Sequence, residues 1–147
     1  MTLPGSVRAL RSLLATVPAC VALLGVAPRG HADEPQTDYM LNCMGCHVQD
    51  GSGAQGKVPS LRDTLVPFAQ TADGRRYLVQ VPGTAQSVLS DAEIAALLNW
   101  MMRQLSGVPL PAGVADFTAQ EVGSYRAQRL EDPAAMRAQL LLKAAHP

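Results

Sequence analysis

A single motif, Cys43-Met44-Gly45-Cys46-His47, constrains this chain more than any other feature of its sequence. Two cysteines separated by two residues and followed directly by a histidine have the spacing of a c-type haem attachment site. In such a site both thiols add to the vinyl groups of one haem, and the histidine lies under the iron as its proximal ligand. The motif therefore predicts one covalently attached haem c, with Cys43 and Cys46 as tethers and His47 as iron ligand.

Three other interpretations of the two cysteines fit the sequence less well. A thioredoxin-like redox pair needs a βαβ pattern around it, which the flanking residues do not show. A zinc site needs a second Cys/His pair, and after His47 the chain has only His146. A plain disulfide between Cys43 and Cys46 leaves the adjacent histidine without a role. Haem attachment is the interpretation that uses all three side chains of the motif.

Composition excludes several other classes of protein. The 147 residues correspond to about one domain, and 48% hydrophobic with 16% charged residues is not the balance of a disordered chain. Twelve basic and twelve acidic residues give no net charge, whereas nucleic-acid-binding proteins carry a strong basic excess, so we expect no nucleic-acid partner. The chain has six aromatic residues, and a large apolar cofactor would complete so small a core.

The N-terminal segment, residues 1–32, has the pattern of a cleaved secretory signal peptide. Two arginines precede an uncharged apolar run over residues 13–27, and small residues follow, so we expect cleavage after Ala32. A retained membrane anchor is the alternative, but a run of 15 residues is shorter than the ~20 that a spanning helix needs. A lipoprotein site at Cys20 fits poorly, because more apolar residues follow it. The sequence therefore predicts export to the periplasm without a stable membrane span.

The residues that follow the motif carry a resemblance to a known family. A glycine-rich loop over residues 50–57 leads to Pro59 and Leu61. The order of C-x-x-C-H, a D-G-x-G-x-x-G-like loop and P-x-L resembles the class I c-type cytochromes. The resemblance implies that the Pro59 carbonyl accepts a hydrogen bond from His47, which would fix the histidine tautomer, and that Leu61 packs on the haem.

A helix is predicted after Ser90, which forms a capping box with Glu93. Gly107 and Pro109 end this helix. Its apolar positions recur every three or four residues and comprise Ile94, Leu97, Leu98, Met101 and Leu105.

This helix resembles the C-terminal helix of the same cytochrome family, which crosses the N-terminal helix. The resemblance implies that Tyr39, Leu97 and Trp100 lie at the crossing. Leu97 and Met101 are also candidate residues of the haem pocket. The resemblance covers residues 37–105, about half of the chain.

The first helix, which leads into the motif over residues 38–42, departs from the family pattern. Thr37 or Asp38 can cap its N-terminus. The family often has a small residue where this chain has Pro35. We therefore expect a short first helix and a looser crossing.

The fold class expected from these patterns is all-α, with a small cytochrome c-like haem domain at residues 33–106. Residues 107–147 form a predicted helical extension. Thr118 caps a helix that runs to about Leu130, and a second helix starts at Asp132-Pro133. The apolar face of that second helix comprises Met136, Leu140 and Leu141. We expect the extension to pack on the haem domain; the alternative is a surface for a partner or a cover over one haem edge.

The second axial ligand of the iron is not evident from the sequence. The family usually supplies a methionine from the loop before the C-terminal helix, but the loop expected here, Tyr77 to Val88, contains neither methionine nor histidine. Met101 and then Met102 are the leading candidates, although packing of the helix explains Met101 equally well. Weaker candidates are Met40, Met136, His146 and the amide oxygens of Gln80 and Gln86. An iron open to water is the remaining possibility.

The resemblance implies that the protein transfers single electrons between redox proteins, with a dehydrogenase or an oxidase as partner. It also implies that the protein is an electron carrier more than an enzyme in its own right. One alternative is an open-site haem protein, peroxidase-like or gas-binding, although the sequence shows no distal His–Arg pair for peroxide cleavage. Another alternative is a haem subunit docked permanently to a dehydrogenase through residues 107–147.

Overall fold

The computed structural model describes residues 34–145, which belong to one compact unit. The predicted signal peptide and His146 lie outside the described residues. The described chain contains helices and one isolated bridge between Ala54 and Val58, and no β-strand, so the all-α prediction is confirmed. The helices are α1 (Glu34–Asn42), α2 (Met44–His47), α3 (Leu65–Ala69), α4 (Ala72–Gln80), α5 (Pro82–Ala85), α6 (Asp91–Gln104), α7 (Ala119–Arg126) and α8 (Pro133–Ala145).

Helix α1 packs across α6, as the resemblance implies. The rings of Tyr39 and Trp100 meet with centroids 5.6 Å apart. The Tyr39 side chain is 2% exposed, and its hydroxyl donates a hydrogen bond to the Val48 carbonyl at 2.6 Å. The predicted start at Thr37 or Asp38 is wrong, because α1 already includes Glu34 and Pro35. Proline is tolerated there because the first helical turn needs no backbone N–H donor.

Helix α6 begins and ends close to where the sequence predicts. The Ser90 hydroxyl accepts a hydrogen bond from the Glu93 amide at 3.3 Å, and the Glu93 carboxylate accepts one from the Ser90 amide at 2.6 Å. Both halves of the capping box are therefore present. The apolar stripe is buried in the core of the molecule.

The segment expected to be a loop, Tyr77 to Val88, is largely helical, and that expectation is wrong. Its first four residues form the last turn of α4, and Pro82 opens the short helix α5. The Thr71 hydroxyl caps α4 by accepting a hydrogen bond from the Gly74 amide at 3.1 Å. Helix α4 packs on α3 and positions Tyr77 edge-on to Phe68, with ring centroids 5.6 Å apart.

Residues beyond 106 share one hydrophobic core with residues 34–106. The buried apolar side chains that they contribute are Phe117, Val122 and Leu140. Helix α7 ends at Arg126, four residues before its predicted end at Leu130. Leu141 is 43% exposed, so its assignment to the buried face of the last helix is wrong.

Several polar contacts join residues beyond 106 to the rest of the described chain, and those of Asn99 and Arg75 are two of them. The Asn99 side chain accepts a hydrogen bond from the Phe117 amide at 2.8 Å and donates one to the Phe117 carbonyl at 3.0 Å. Arg75 on α4 forms two hydrogen bonds with the Glu121 carboxylate on α7, at 2.6 and 2.7 Å. These contacts satisfy polar groups that the packing would otherwise leave without partners.

Candidate haem site

A cavity of about 340 Å³ opens beside the C-x-x-C-H motif. Its walls are mostly apolar, and the side chains come from α3, α4, α5, α6, α8 and the loop after α2. The apolar residues on these walls include Leu61, Leu65, Phe68, Leu78, Val81, Leu89, Ile94, Leu97, Leu98 and Met101. A concave apolar pocket with a few polar groups is the usual form of a cofactor site.

The glycine-rich loop folds back over the end of α2. The amide of Gly53 donates to the carbonyl of His47 at 3.0 Å, and the amide of Leu61 donates to the carbonyl of Gly51 at 2.8 Å. Gly53 has a φ of +70°, and a Cβ at this position would lie only 2.5 Å from the Val58 carbonyl oxygen. The loop therefore requires glycine at this position, and its close return brings Pro59 to His47.

A contact at ring nitrogen Nδ1 holds the His47 side chain in one orientation. Its Nδ1 lies 3.1 Å from the Pro59 carbonyl oxygen, and an N–H at Nδ1 is the group that can donate to a carbonyl. The lone pair is then on Nε2, which is the atom free to bind a metal. Burial lowers the pKa of the imidazole, and the contact with Pro59 opposes part of that shift. The neutral ring, which is the ligating form, is favoured.

Both thiols of the motif are free and lie on the cavity wall. Cys43 is partly buried and Cys46 is exposed. Burial is the main reason that the pKa of the Cys43 thiol is raised, and the charge of Asp38 adds to the effect. Two free thiols, an imidazole with Nε2 available and an apolar cavity are the groups that a covalent haem needs, so these residues fit the cofactor.

The structure separates the candidates for the second axial ligand. Met101 is on the cavity wall, whereas Met102 is buried elsewhere in the core. Met40 and Met136 are not on the wall either, and Met40 is 51% exposed. Among the described residues, Met101 is thus the only thioether that reaches the cavity.

The two glutamine candidates do not line the cavity. The Gln80 side chain is turned toward α7 and donates to the Tyr125 carbonyl at 3.3 Å, and Gln86 is exposed. The wall that contains residues 81–87 presents Val81, Pro82, Gly83, Thr84 and Ser87. None of these side chains is a strong iron ligand.

Tyr77 on α4 and Arg137 on α8 are among the cavity residues that were not identified from the sequence. The Arg137 guanidinium carbon lies 5.7 Å from the centre of the Phe68 ring. Burial raises the pKa of Tyr77, while the charge of Arg137 and a hydrogen bond from it act in the opposite direction. No local pattern indicates either role, because α8 reaches the cavity only through tertiary packing.

Comparison with known proteins agrees with the haem assignment. No family model matches the chain. One cytochrome c-552 of Thermus thermophilus is 31% identical over 126 residues, which covers 74% of this chain and 84% of the relative. A second cytochrome c-552 from Thermus thermophilus is 31% identical over 106 residues and covers 60% of this chain and 81% of that protein.

Fold, site and relatives together place the chain among the class I c-type cytochromes, and it belongs to that family. Within the family it is similar to cytochrome c-552. It is a mono-haem cytochrome that acts in electron transfer, with covalently bound haem c as its cofactor and redox proteins as its partners. Residues 34–145 include no helix with the length and apolar character that crossing a membrane requires.

Proposed function

We propose that Cys43 and Cys46 tether the haem, that His47 is its proximal iron ligand and that the protein carries single electrons in the periplasm. The contact between His47 Nδ1 and the Pro59 carbonyl, with both free thiols on the same cavity, is the observation that best supports this assignment. When bound, the haem supplies the one-electron redox chemistry. The chain binds it, orients it and limits the access of water.

Several residues have separate roles in this proposal. The Pro59 carbonyl fixes the His47 tautomer and makes Nε2 a stronger donor. Leu61 and Leu97, which line the cavity, would contact the haem and keep water away from it, which helps to set its reduction potential. Met101 would mainly be a packing residue of α6, and ligation of the iron is its alternative role. Met102, buried away from the cavity, is a packing residue.

Export and partner choice follow from the same proposal. Residues 1–32 would direct the chain to the periplasm and be removed after Ala32. Residues 33–106 would be the haem domain and residues 107–147 the extension that completes it. The redox partner would be a dehydrogenase or an oxidase.

The test is haem attachment in variants of the two thiols. We expect the single changes Cys43→Ala and Cys46→Ala to leave at most one thioether bond and the double variant to leave no covalent haem. Denaturing gels stained for haem give the readout for protein exported to the periplasm of a host with haem-attachment machinery. Covalent haem in the double variant would contradict the proposal.

An open-site haem protein that binds small ligands is the second candidate. It is favoured by the wall at residues 81–87, which offers no sulfur and no imidazole. An absorption spectrum of the oxidised protein separates the two functions. High-spin bands are expected for an open iron, and low-spin bands for a closed electron carrier.

A further inference from the structure

A segment between α4 and α6, residues 81–89, forms part of the cavity wall with little apolar packing of its own. Within this wall segment only Leu89 is buried, and the Val88 side chain is 92% exposed. Stretches of chain with few buried apolar contacts open locally at low cost. The position of the wall segment therefore depends on its polar contacts. The residues of it that line the cavity are Val81, Pro82, Gly83, Thr84, Ser87 and Leu89.

Arg126, the last residue of α7, makes those polar contacts. Its guanidinium donates hydrogen bonds to the carbonyls of Ala85 and Leu89, each at 2.8 Å, and another to the carbonyl of Ser87. A further bond at 3.2 Å joins it to the Asp91 carboxylate at the start of α6. Arginine suits this arrangement because its donors lie in a rigid planar fork. One side chain thus binds three alternate carbonyls of the wall segment.

The three carbonyls depend on Arg126 for their hydrogen bonds. Within residues 34–145, no backbone amide donates to the carbonyl of Ala85, Ser87 or Leu89. The Arg126 side chain is only 23% exposed, so water has limited access to this place. Loss of the guanidinium would leave carbonyls without partners at a partly buried site, which is costly. We therefore expect the wall segment to leave its place when Arg126 is removed.

Helix α7 is a firm support for this contact. It packs on both α4 and α6, the helices that come before and after the wall segment. Its Val122 side chain is fully buried, with 0% exposure. Gln80, directly before the wall segment, donates a hydrogen bond to the Tyr125 carbonyl at 3.3 Å. Helix α7 therefore holds the wall segment at its start and along its second half.

We propose that Arg126 is a positioning residue of the haem site, an inference that rests on the proposed haem function. Arg126 does not line the cavity and acts through the wall segment, whose carbonyls it binds. With the wall segment in place, Leu89 and its neighbours keep water from the cavity. When the wall segment opens, water enters and stabilises the more highly charged ferric form. A residue of the extension thus helps to set the reduction potential from outside the cavity.

The experiment compares Arg126→Gln with Arg75→Gln in the full-length, haem-loaded protein. Arg75 is the matched control, because it carries the same charge and also forms several hydrogen bonds with residues beyond 106. None of the residues that it binds lines the cavity. Arg126→Lys keeps the charge but not the fork, so it serves fewer of the carbonyls. Circular dichroism establishes that each variant is folded, and Arg126→Lys carries the test if Arg126→Gln does not fold.

The first measurement is hydrogen–deuterium exchange of the backbone amides, which does not depend on the state of the iron. We expect Arg126→Gln to raise the exchange rate in the wall segment by about tenfold or more relative to that in α1, because several hydrogen bonds to a charged group are lost. Arg126→Lys should raise this ratio less. Arg75→Gln should leave it unchanged, even where the protein as a whole is less stable.

The second measurement is the reduction potential of the same proteins. We expect Arg126→Gln to lower the potential, Arg126→Lys to lower it less and Arg75→Gln to leave it unchanged. Faster exchange in the wall segment without a shift of the potential would show that Arg126 is only structural and would overturn the proposal. Unchanged exchange, or equal behaviour of Arg126→Gln and Arg75→Gln, would overturn it as well. Failure of the haem assignment would instead appear as a parent protein without covalent haem.

Discussion

His47, Met101 and Gly53 define the site at the scale of single residues. The pairing of His47 with Pro59 was expected from the resemblance to the class I c-type cytochromes. The sequence did not identify the second axial ligand of the iron. The residues opposite the C-x-x-C-H motif depend on which face of α6 lines the cavity and on how α4 and α8 pack. Neither feature can be predicted from the spacing of neighbouring residues.

Met101→Leu tests the second axial position. Leucine is close to methionine in volume, so we expect the fold to be kept with a loss of less than about 1.5 kcal/mol. If Met101 is a wall residue, which we favour because it continues the apolar stripe of α6, carbon monoxide binding and the reduction potential stay nearly unchanged. Met102→Leu is the control, since Met102 is also buried but does not line the cavity. A change of spin state confined to Met101→Leu would show that Met101 binds the iron.

Gly53→Ala tests the loop that brings Pro59 to His47. Gly53 and Gly56 both have positive φ angles, +70° and +74°, so alanine costs about 1 kcal/mol or more at either position. At Gly56 a Cβ meets nothing within 4 Å, whereas at Gly53 it lies 2.8 Å from the Pro59 oxygen. We expect Gly53→Ala to lower the thermal midpoint more than Gly56→Ala and to shift the reduction potential. Equal effects in the two variants would show that the approach to Pro59 is unimportant.

At the scale of the elements, short-range signals were more reliable than expectations about whole segments. The capping box at Ser90, the cap at Thr118 and the start of α8 at Pro133 were each predicted from residues a few positions apart. Helices α3 and α4 were not predicted, because their sequences contain glycine, proline and polar residues. Burial of Phe68, Tyr77 and their neighbours against other helices stabilises them instead.

The ion pair between Arg75 and Glu121 connects α4 to α7. Its side chains are 13% and 20% exposed, and the hydrogen bond to Glu121 is the main cause that raises the pKa of Arg75. We expect Glu121→Gln to lower the free energy of unfolding by about 2 kcal/mol, between the ~1 kcal/mol of an exposed pair and the ~3–5 kcal/mol of a fully buried one. Chemical denaturation of the haem-loaded protein measures the change.

Asp116→Asn is the control for this ion pair. It breaks the bond between Asp116 and Arg103, whose side chains are 53% and 43% exposed. We expect a loss of at most about 1 kcal/mol there. A loss at Asp116 as large as that at Glu121 would mean that burial does not determine the strength of these pairs.

At the scale of the whole molecule, the chain from residue 107 onward is part of the fold and of the cavity. Its helices were predicted, whereas a cover over one haem edge was weighed only as an alternative to simple packing. A helix can be predicted from its own residues. The surface on which it packs depends also on residues far away in the chain. Pro133 and Arg137 reach the cavity because Leu140 and Val122 anchor α8 and α7 in the same core.

A chain that ends at Ser106 tests how far the haem domain depends on this extension. It keeps the attachment motif, the loop to Pro59 and helix α6, so we expect it still to incorporate haem, as seen by haem staining of a denaturing gel. It loses three buried apolar side chains, Phe117, Val122 and Leu140. At ~1.5–3 kcal/mol for each, the loss is roughly 5–9 kcal/mol, comparable with the ~5–15 kcal/mol that stabilises a whole domain.

The shortened protein should therefore unfold at a much lower temperature while its haem stays covalently bound. Removal of Pro133 and Arg137 also opens one wall of the cavity, so carbon monoxide should reach the reduced iron faster than in the full chain. A second chain ending at Glu131 removes α8 alone and separates these effects. It keeps Phe117 and Val122 in the core but loses the cavity wall, so it should match the shorter chain in ligand access and the full chain more closely in stability. No haem in the chain ending at Ser106 would show that the extension is required for haem attachment itself.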